Sequence, residues 1–152
     1  LNNKVNKKQI LTNINIHNHH PSLKPPVKKS LILQSVSAVL KGEKCRISSL
    51  ELNLVNNYRI RKVNKNYLNH DYVTDIITFP YISDKKLIDG EIFISLDTVK
   101  ANSKTYETGY KDEFVRVLIH GCLHLAGYGD KTKNEKVMMR EKENKYLRNV
   151  LR

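Results

Sequence analysis

Cysteine is scarce in this 152-residue chain. It has two, Cys45 and Cys122, too few for a disulfide framework, and Cys122 falls inside an apolar helical pattern as a reduced core thiol does. That excludes a small disulfide-stapled secreted fold, and a reducing, cytoplasmic setting is expected. Long hydrophobic runs are missing too. The longest apolar tract, Leu31 to Leu40, is short and interrupted by Gln34, Ser35 and Ser37, so no transmembrane span and no membrane partner is expected. Leu1 to Ile14 is broken up by Asn and Lys and lacks the apolar stretch and small-residue cleavage site of a signal peptide. There is no internal repeat or low-complexity domain. Acidic residues are also in short supply, 15 Asp and Glu against 27 Lys and Arg, for a formal charge of +12. Such a surplus attracts polyanions such as RNA over long range and weakens with salt. Charge alone names no function, because membrane-surface binders share it, but it makes nucleic acid the favoured partner.

The hydrophobic content of 39% in 152 residues suffices for one compact domain with a real core. Residues Asn2 to Gln9 are polar and basic, and residues 1–13 are expected to form a loosely held basic arm ahead of a single domain over 14–152. Ile14 and Ile16 alternate with polar neighbours as in a strand, and Pro21, Pro25 and Pro26 then forbid regular structure until Ser30 can cap a helix. That helix runs to about Lys41, with Gly42 as a left-handed stop. Leu50, Leu52 and Leu54 alternate with Ser49, Glu51 and Asn53, marking a half-buried strand. Asn56 or Asn57 can cap a helix that turns Ile60, Val63 and Tyr67 inward and covers its other surface with Arg59, Arg61, Lys62 and Lys65. Such a basic face ordinarily means solvation; it becomes an RNA contact where it lies beside an active site.

Two short β-branched or aromatic strands follow, Asp75 to Phe79, stopped by Pro80, and Glu91 to Ser95, preceded by Gly90. Helices are expected at about Asp97 to Tyr106, Asp112 to Ala126 and Asn134 to Asn149. The second is apolar almost all round, hence central and buried, and Gly127 ends it. In the last, Val137, Met138, Met139, Tyr146, Leu147 and Val150 read as ordinary core contacts. The sum is an α+β fold, a mixed sheet of about four strands with about five helices.

Chemistry concentrates at the end of the buried helix. His120 and His124 are spaced i, i+4, so both imidazoles project from one face and can share an ion. Alone, the pair reads more readily as satisfied core histidines. Gly127 and Gly129 permit a sharp reversal, after which Asp130 can turn a carboxylate back toward the imidazoles. Two neutral imidazoles and one carboxylate form a catalytic zinc set, whereas a closed structural site needs a fourth protein ligand and none is close. Cys122, at i+2 from His120, points to another side of the helix. One divalent ion, expected to be zinc, would acidify water and polarise a phosphoryl oxygen, which suits phosphodiester cleavage. A metalloprotease built on the same histidine spacing needs a Glu directly after the first His, and that position is Gly121.

The run His120-Gly121-Cys122-Leu123-His124-Leu125-Ala126-Gly127-Tyr128-Gly129-Asp130 resembles the metal-binding signature of the YbeY family, bacterial rRNA maturation factors regarded as single-strand-specific endoribonucleases. Tyr67 to Phe79 is similar to that family's central segment leading into a strand, and Gly90-Glu91-Ile92-Phe93-Ile94 to its next strand, so the resemblance extends from about Ile14 to Leu147. It implies a metal-dependent endoribonuclease acting in rRNA maturation and ribosome quality control. His120, His124 and Asp130 would be its catalytic metal ligands, RNA its substrate, and a ribosomal subunit or ribosome-associated proteins its partners; DNA is not expected. Asp130 stands where members commonly carry a third His, and it keeps the spacing and can still ligate. Leu68 stands where the central segment usually has an Arg thought to serve substrate binding or catalysis. Arg59, Arg61, Lys62 and His70 are the candidate RNA contacts in its place. The alternative, favoured by Leu68, is a non-catalytic ribosome-biogenesis RNA-binding module with a structural ion. His17, His19 and His20 are expected as exposed loop histidines, and Glu135, Glu141 and Glu143 as surface charges or partners orienting a ligand His.

Overall fold

The computed structural model describes residues 12–152, so of the basic arm expected over residues 1–13 all but Thr12 and Asn13 lie outside the described residues. Four strands form one mixed sheet: β1 (Ile14–Asn18), β2 (Arg46–Val55), β3 (Ile76–Pro80) and β4 (Leu87–Ser95). Their spatial order is β1-β2-β4-β3, with β1 and β4 parallel to β2 and β3 antiparallel to β4. Five helices complete the described fold: α1 (Lys29–Gly42), α2 (Asn57–Leu68), α3 (Leu96–Thr105), α4 (Tyr110–Leu125) and α5 (Lys133–Val150). None of them is long and apolar enough to cross a membrane.

The period-2 pattern of β2 decides which helices lie on which face. Leu50, Leu52 and Leu54 are fully buried and share the main core with Ile92 and Ile94 of β4 and with α1, α4 and α5. Each such side chain contributes roughly 1.5–3 kcal/mol relative to exposure. The other face of the sheet is covered only in part. There α2 packs Ile60 against Val55 and Ile77 in a smaller cluster that includes Val63, Phe79 and Phe93. Pro80 is tolerated because β3 is an edge strand.

α4 lies across the sheet as the expected central helix, with Phe114, Leu118, Ile119 and Leu123 fully buried. Gly121 is what lets it lie so close. A Cβ there would stand 2.6 Å from Ile76 Cδ1 and 3.2 Å from Ile92 Cδ1, so a Glu at this position, where a metalloprotease carries one, would have to displace the Ile76 side chain.

Several local expectations are corrected. α1 starts at Lys29 after Lys28 and has no side-chain cap, so Ser30 does not serve as one. Gly42 is not its left-handed stop. The positive φ belongs to Lys44, and the bare Cα of Gly42 instead makes room for the Tyr146 ring. α2 is capped by Asn56, whose side chain accepts from Arg59 N. Its Ile60 is buried, but Tyr67 is 74% exposed, its ring meeting Phe79 edge-on at 5.8 Å between centroids. On α5, Met139, Tyr146 and Val150 are buried, whereas Val137 and Met138 face outward. His20 is no exposed loop residue: its side chain is 5% exposed and bonds Asp97 Oδ1 at 2.8 Å.

Candidate metal centre

α4 ends in a turn that determines where its ligands go. Gly127 takes φ +105°, its N–H donates to His124 O and the Tyr128 N–H donates to Leu123 O, the paired bonds that close a helix on a left-handed residue. Gly129 contributes room instead, since the Glu135 carboxylate occupies the space of its missing Cβ. The chain then doubles back and delivers Asp130 to the histidine face. Its Oδ2 lies 3.3 Å from His120 Nε2 and 3.3 Å from His124 Nε2, and the two Nε2 atoms are 2.9 Å apart. The rings meet nearly at right angles, 84° between planes.

The far nitrogen of each ring fixes which atom faces the centre. His120 Nδ1 lies 2.7 Å from Glu143 Oε2 and His124 Nδ1 lies 2.8 Å from the carbonyl of Tyr128. Both partners are acceptors, so each Nδ1 carries the proton and each Nε2 presents a lone pair inward. With both rings neutral, three acceptor atoms thus converge with no donor among them, an arrangement that a cation resolves. Ligand bonds near 2.0 Å in a tetrahedron imply donor separations of about 3.3 Å, close to the two carboxylate distances. His120, His124 and Asp130 are the group among the described residues that could hold a metal.

Behind the histidines stands a charged support. Burial opposes ionisation of Glu143, yet the bonds from His120 and Arg116 outweigh it and hold its carboxyl below the usual range. Burial likewise opposes charge on His120, but Glu143, then Asp130, lift its pKa above the ordinary value. Arg116 Nη1 donates to Glu143 Oε1 at 3.0 Å and its Nη2 to Asn144 Oδ1 at 2.8 Å, tying α4 to α5. On the other side, Tyr128 donates its hydroxyl to Glu43 Oε1, and Tyr146 and Lys142 donate to Glu43 Oε2. The carbonyl that orients His124 therefore sits on a residue clamped to the end of α1.

A cleft of about 590 Å³ opens onto the three candidate ligands, walled by Leu68, His70, Tyr72, Asp75 and Lys131. Asn64 secures that wall, its Nδ2 donating to the Tyr72 carbonyl at 3.1 Å. Of the candidate RNA contacts, only His70 reaches the cleft, its ring stacked on Tyr72 at 5.3 Å. Arg59, Arg61 and Lys62 do not line it. Arg61 Nε donates to Asp71 at 2.8 Å, and Lys62 lies over the Tyr58 ring. Sequence reasoning named Glu143 among three candidate partners and missed Arg116, the Tyr128 carbonyl and Glu43. No local pattern pointed to them, because their partners are 27, 4 and 85 residues away and two of the three contacts depend on how helices pack.

Fold and site together define an α+β protein with a two-histidine, one-carboxylate candidate metal centre at the end of a buried helix. Its place among known proteins is equally definite. The family model for Endoribonuclease YbeY matches residues 13–151, and the chain belongs to that family. Endoribonuclease YbeY of Parabacteroides distasonis is 42% identical over 123 residues, covering 81% of this chain and 86% of that protein. The same-named protein of Chlorobium phaeobacteroides is 44% identical over 120 residues, 79% of this chain and 84% of the relative. A solution structure of a Thermotoga maritima protein superposes with a TM-score of 0.62 at 27% identity, covering 90% of this chain and 88% of that one.

Proposed function

We propose that this chain is a metal-dependent endoribonuclease that cuts single-stranded RNA, ribosomal RNA in particular, in the cytoplasm, with one zinc ion held by His120, His124 and Asp130. Membership of the Endoribonuclease YbeY family supports the reaction class. The observation that carries the site assignment is the convergence of His120 Nε2, His124 Nε2 and Asp130 Oδ2, three acceptors within 3.3 Å of one another.

When bound there, a divalent ion supplies Lewis acidity suited to phosphodiester cleavage. The chain's own groups do the rest. Glu143 and the Tyr128 carbonyl keep a proton on each Nδ1 and thereby aim both Nε2 lone pairs. Lys131 places a positive charge at the cleft mouth, where an RNA phosphate arrives. The stacked His70 and Tyr72 rings offer a flat wall on which an unpaired base can lie. A paired base has its faces covered by its neighbours, so a stacking wall of this kind favours single strands.

Metal analysis of the purified protein is expected to give about one ion per chain. Asp130→Ala is expected to lose both the ion and RNA cleavage; cleavage that persists unchanged removes the site from the mechanism. Leu68, 42% exposed on the cleft wall, is the observation that favours the second reading, an RNA-binding module in ribosome biogenesis with a structural ion. RNA binding that persists while cleavage is absent selects that reading.

A further inference from the structure

The α5 side of the centre carries a pair of cations that the ligand geometry does not use. Lys136 and Arg140 stand four residues apart, hence on one face of α5. With His120, Asp130 and Glu143 they wall a pocket of about 230 Å³ that shares His120 and Asp130 with the cleft. Arg140 Nη1 is 3.5 Å from Glu143 Oε1, an oxygen already served by Arg116 at 3.0 Å, so most of its five donors remain available. Past the pair, the same helix face continues into an open groove between Lys133 and Val137. Val137 is 52% exposed there, an apolar surface that the core does not claim.

The opposite side of the centre is different. Leu68 offers no charge, and Arg61 is turned to Asp71. Among the residues lining the two pockets that open on the ligands, the Lys and Arg side chains are Lys131, Lys136 and Arg140. A polyanion bound across Asp130 therefore finds its counter-charge on Lys131 and on α5. The ordinary meaning of Lys and Arg on a helix is solvation, but solvated side chains have no reason to share a pocket wall with candidate metal ligands.

We infer that Lys136 and Arg140 form a phosphate-binding subsite that holds the backbone of single-stranded RNA beside the ligands, with the strand leaving along the Lys133–Val137 face of α5. This rests on the endoribonuclease reading and specifies the path its substrate takes. The subsite supplies from α5 the phosphate contact that Leu68 cannot supply from α2.

Fluorescence anisotropy with a short 2′-O-methyl single-stranded RNA reads binding apart from cleavage. The variants are K136E/R140E, K136E alone, which leaves Glu143 untouched, and K100E/K104E as a control of equal charge and spacing. The control lies on α3, where Lys100 sits over Tyr110 at the start of α4, away from its histidine end. K136E/R140E is expected to weaken binding about tenfold or more and to lower the salt slope by about 1.4, the share of two phosphate contacts on a single strand. K136E alone is expected to weaken it about threefold, and the control less than twofold, with ion content unchanged in both. Affinity within twofold of the parent, or an equal loss in the control, overturns the proposal. Weakened binding in K136E/R140E upholds the subsite even if the parent cuts no RNA, an outcome that counts against the nuclease reading alone.

Discussion

His120 and His124 owe their usefulness to the nitrogens that face away from the centre. An imidazole with a free Nδ1 presents either tautomer; one whose Nδ1 is bonded to an acceptor presents a lone pair at Nε2 and little else. Glu143 is the stronger of the two partners, being charged and 6% exposed. Glu143→Gln keeps the size of the side chain and removes the charge. It is expected to weaken ion affinity about 10–100-fold, read by competition against a chelator, while leaving the fold intact. At this scale the sequence was most legible. The spacing of His120, His124 and Asp130 and the turn glycine Gly127 are local facts, and the local backbone enforces them. The supporting residues were less legible, because a carboxylate on α5 reveals its partner only once α4 and α5 are packed.

At the scale of elements, α5 and the end of α1 meet at Glu43. Burial pushes the Glu43 carboxyl up, but the hydrogen bonds from Tyr128, Tyr146 and Lys142 outweigh it and hold its pKa below the ordinary range. A carboxyl lowered on folding adds stability that is complete above its unfolded value, about 4.3, and is lost as pH falls through the folded value. Urea unfolding across pH 3 to 7 is therefore expected to show an acid-side fall in stability that Glu43→Gln flattens; an unchanged profile in that variant would falsify the assignment. The elements themselves were mostly visible in the sequence. β2 and α4 announce themselves by periods of two and of 3.6. Tyr67, Val137 and Met138 were misplaced for one shared reason. Periodicity reports which face of a helix is apolar, and it carries no signal for where the surface beneath that helix ends. His20 was misplaced for another: its partner Asp97 is 77 residues away, and nothing near a proline-flanked histidine signals burial.

For the whole molecule, the candidate centre joins α4 to the segment entering α5, so occupancy and folding are linked. An ion that binds the folded chain and not the unfolded one stabilises it by RT ln(1 + [L]/Kd). Chelation is expected to lower the thermal midpoint of the parent protein and to leave that of Asp130→Ala unmoved, measured by calorimetry. The +12 charge was legible from composition, but where it gathers was not. The basic face read from α2 lies off the cleft, and the Lys and Arg residues that line the pockets at the candidate ligands stand on the segment leading into α5 and on α5 itself. Tyr128 is held by Glu43, and Glu143 by Arg116. Both imidazoles are braced by neighbours that are themselves anchored in the scaffold, so their aim does not depend on the guest. A candidate socket so braced would accept divalent ions of similar radius, and the preference among transition metals would then follow their intrinsic affinity and their supply in the surroundings.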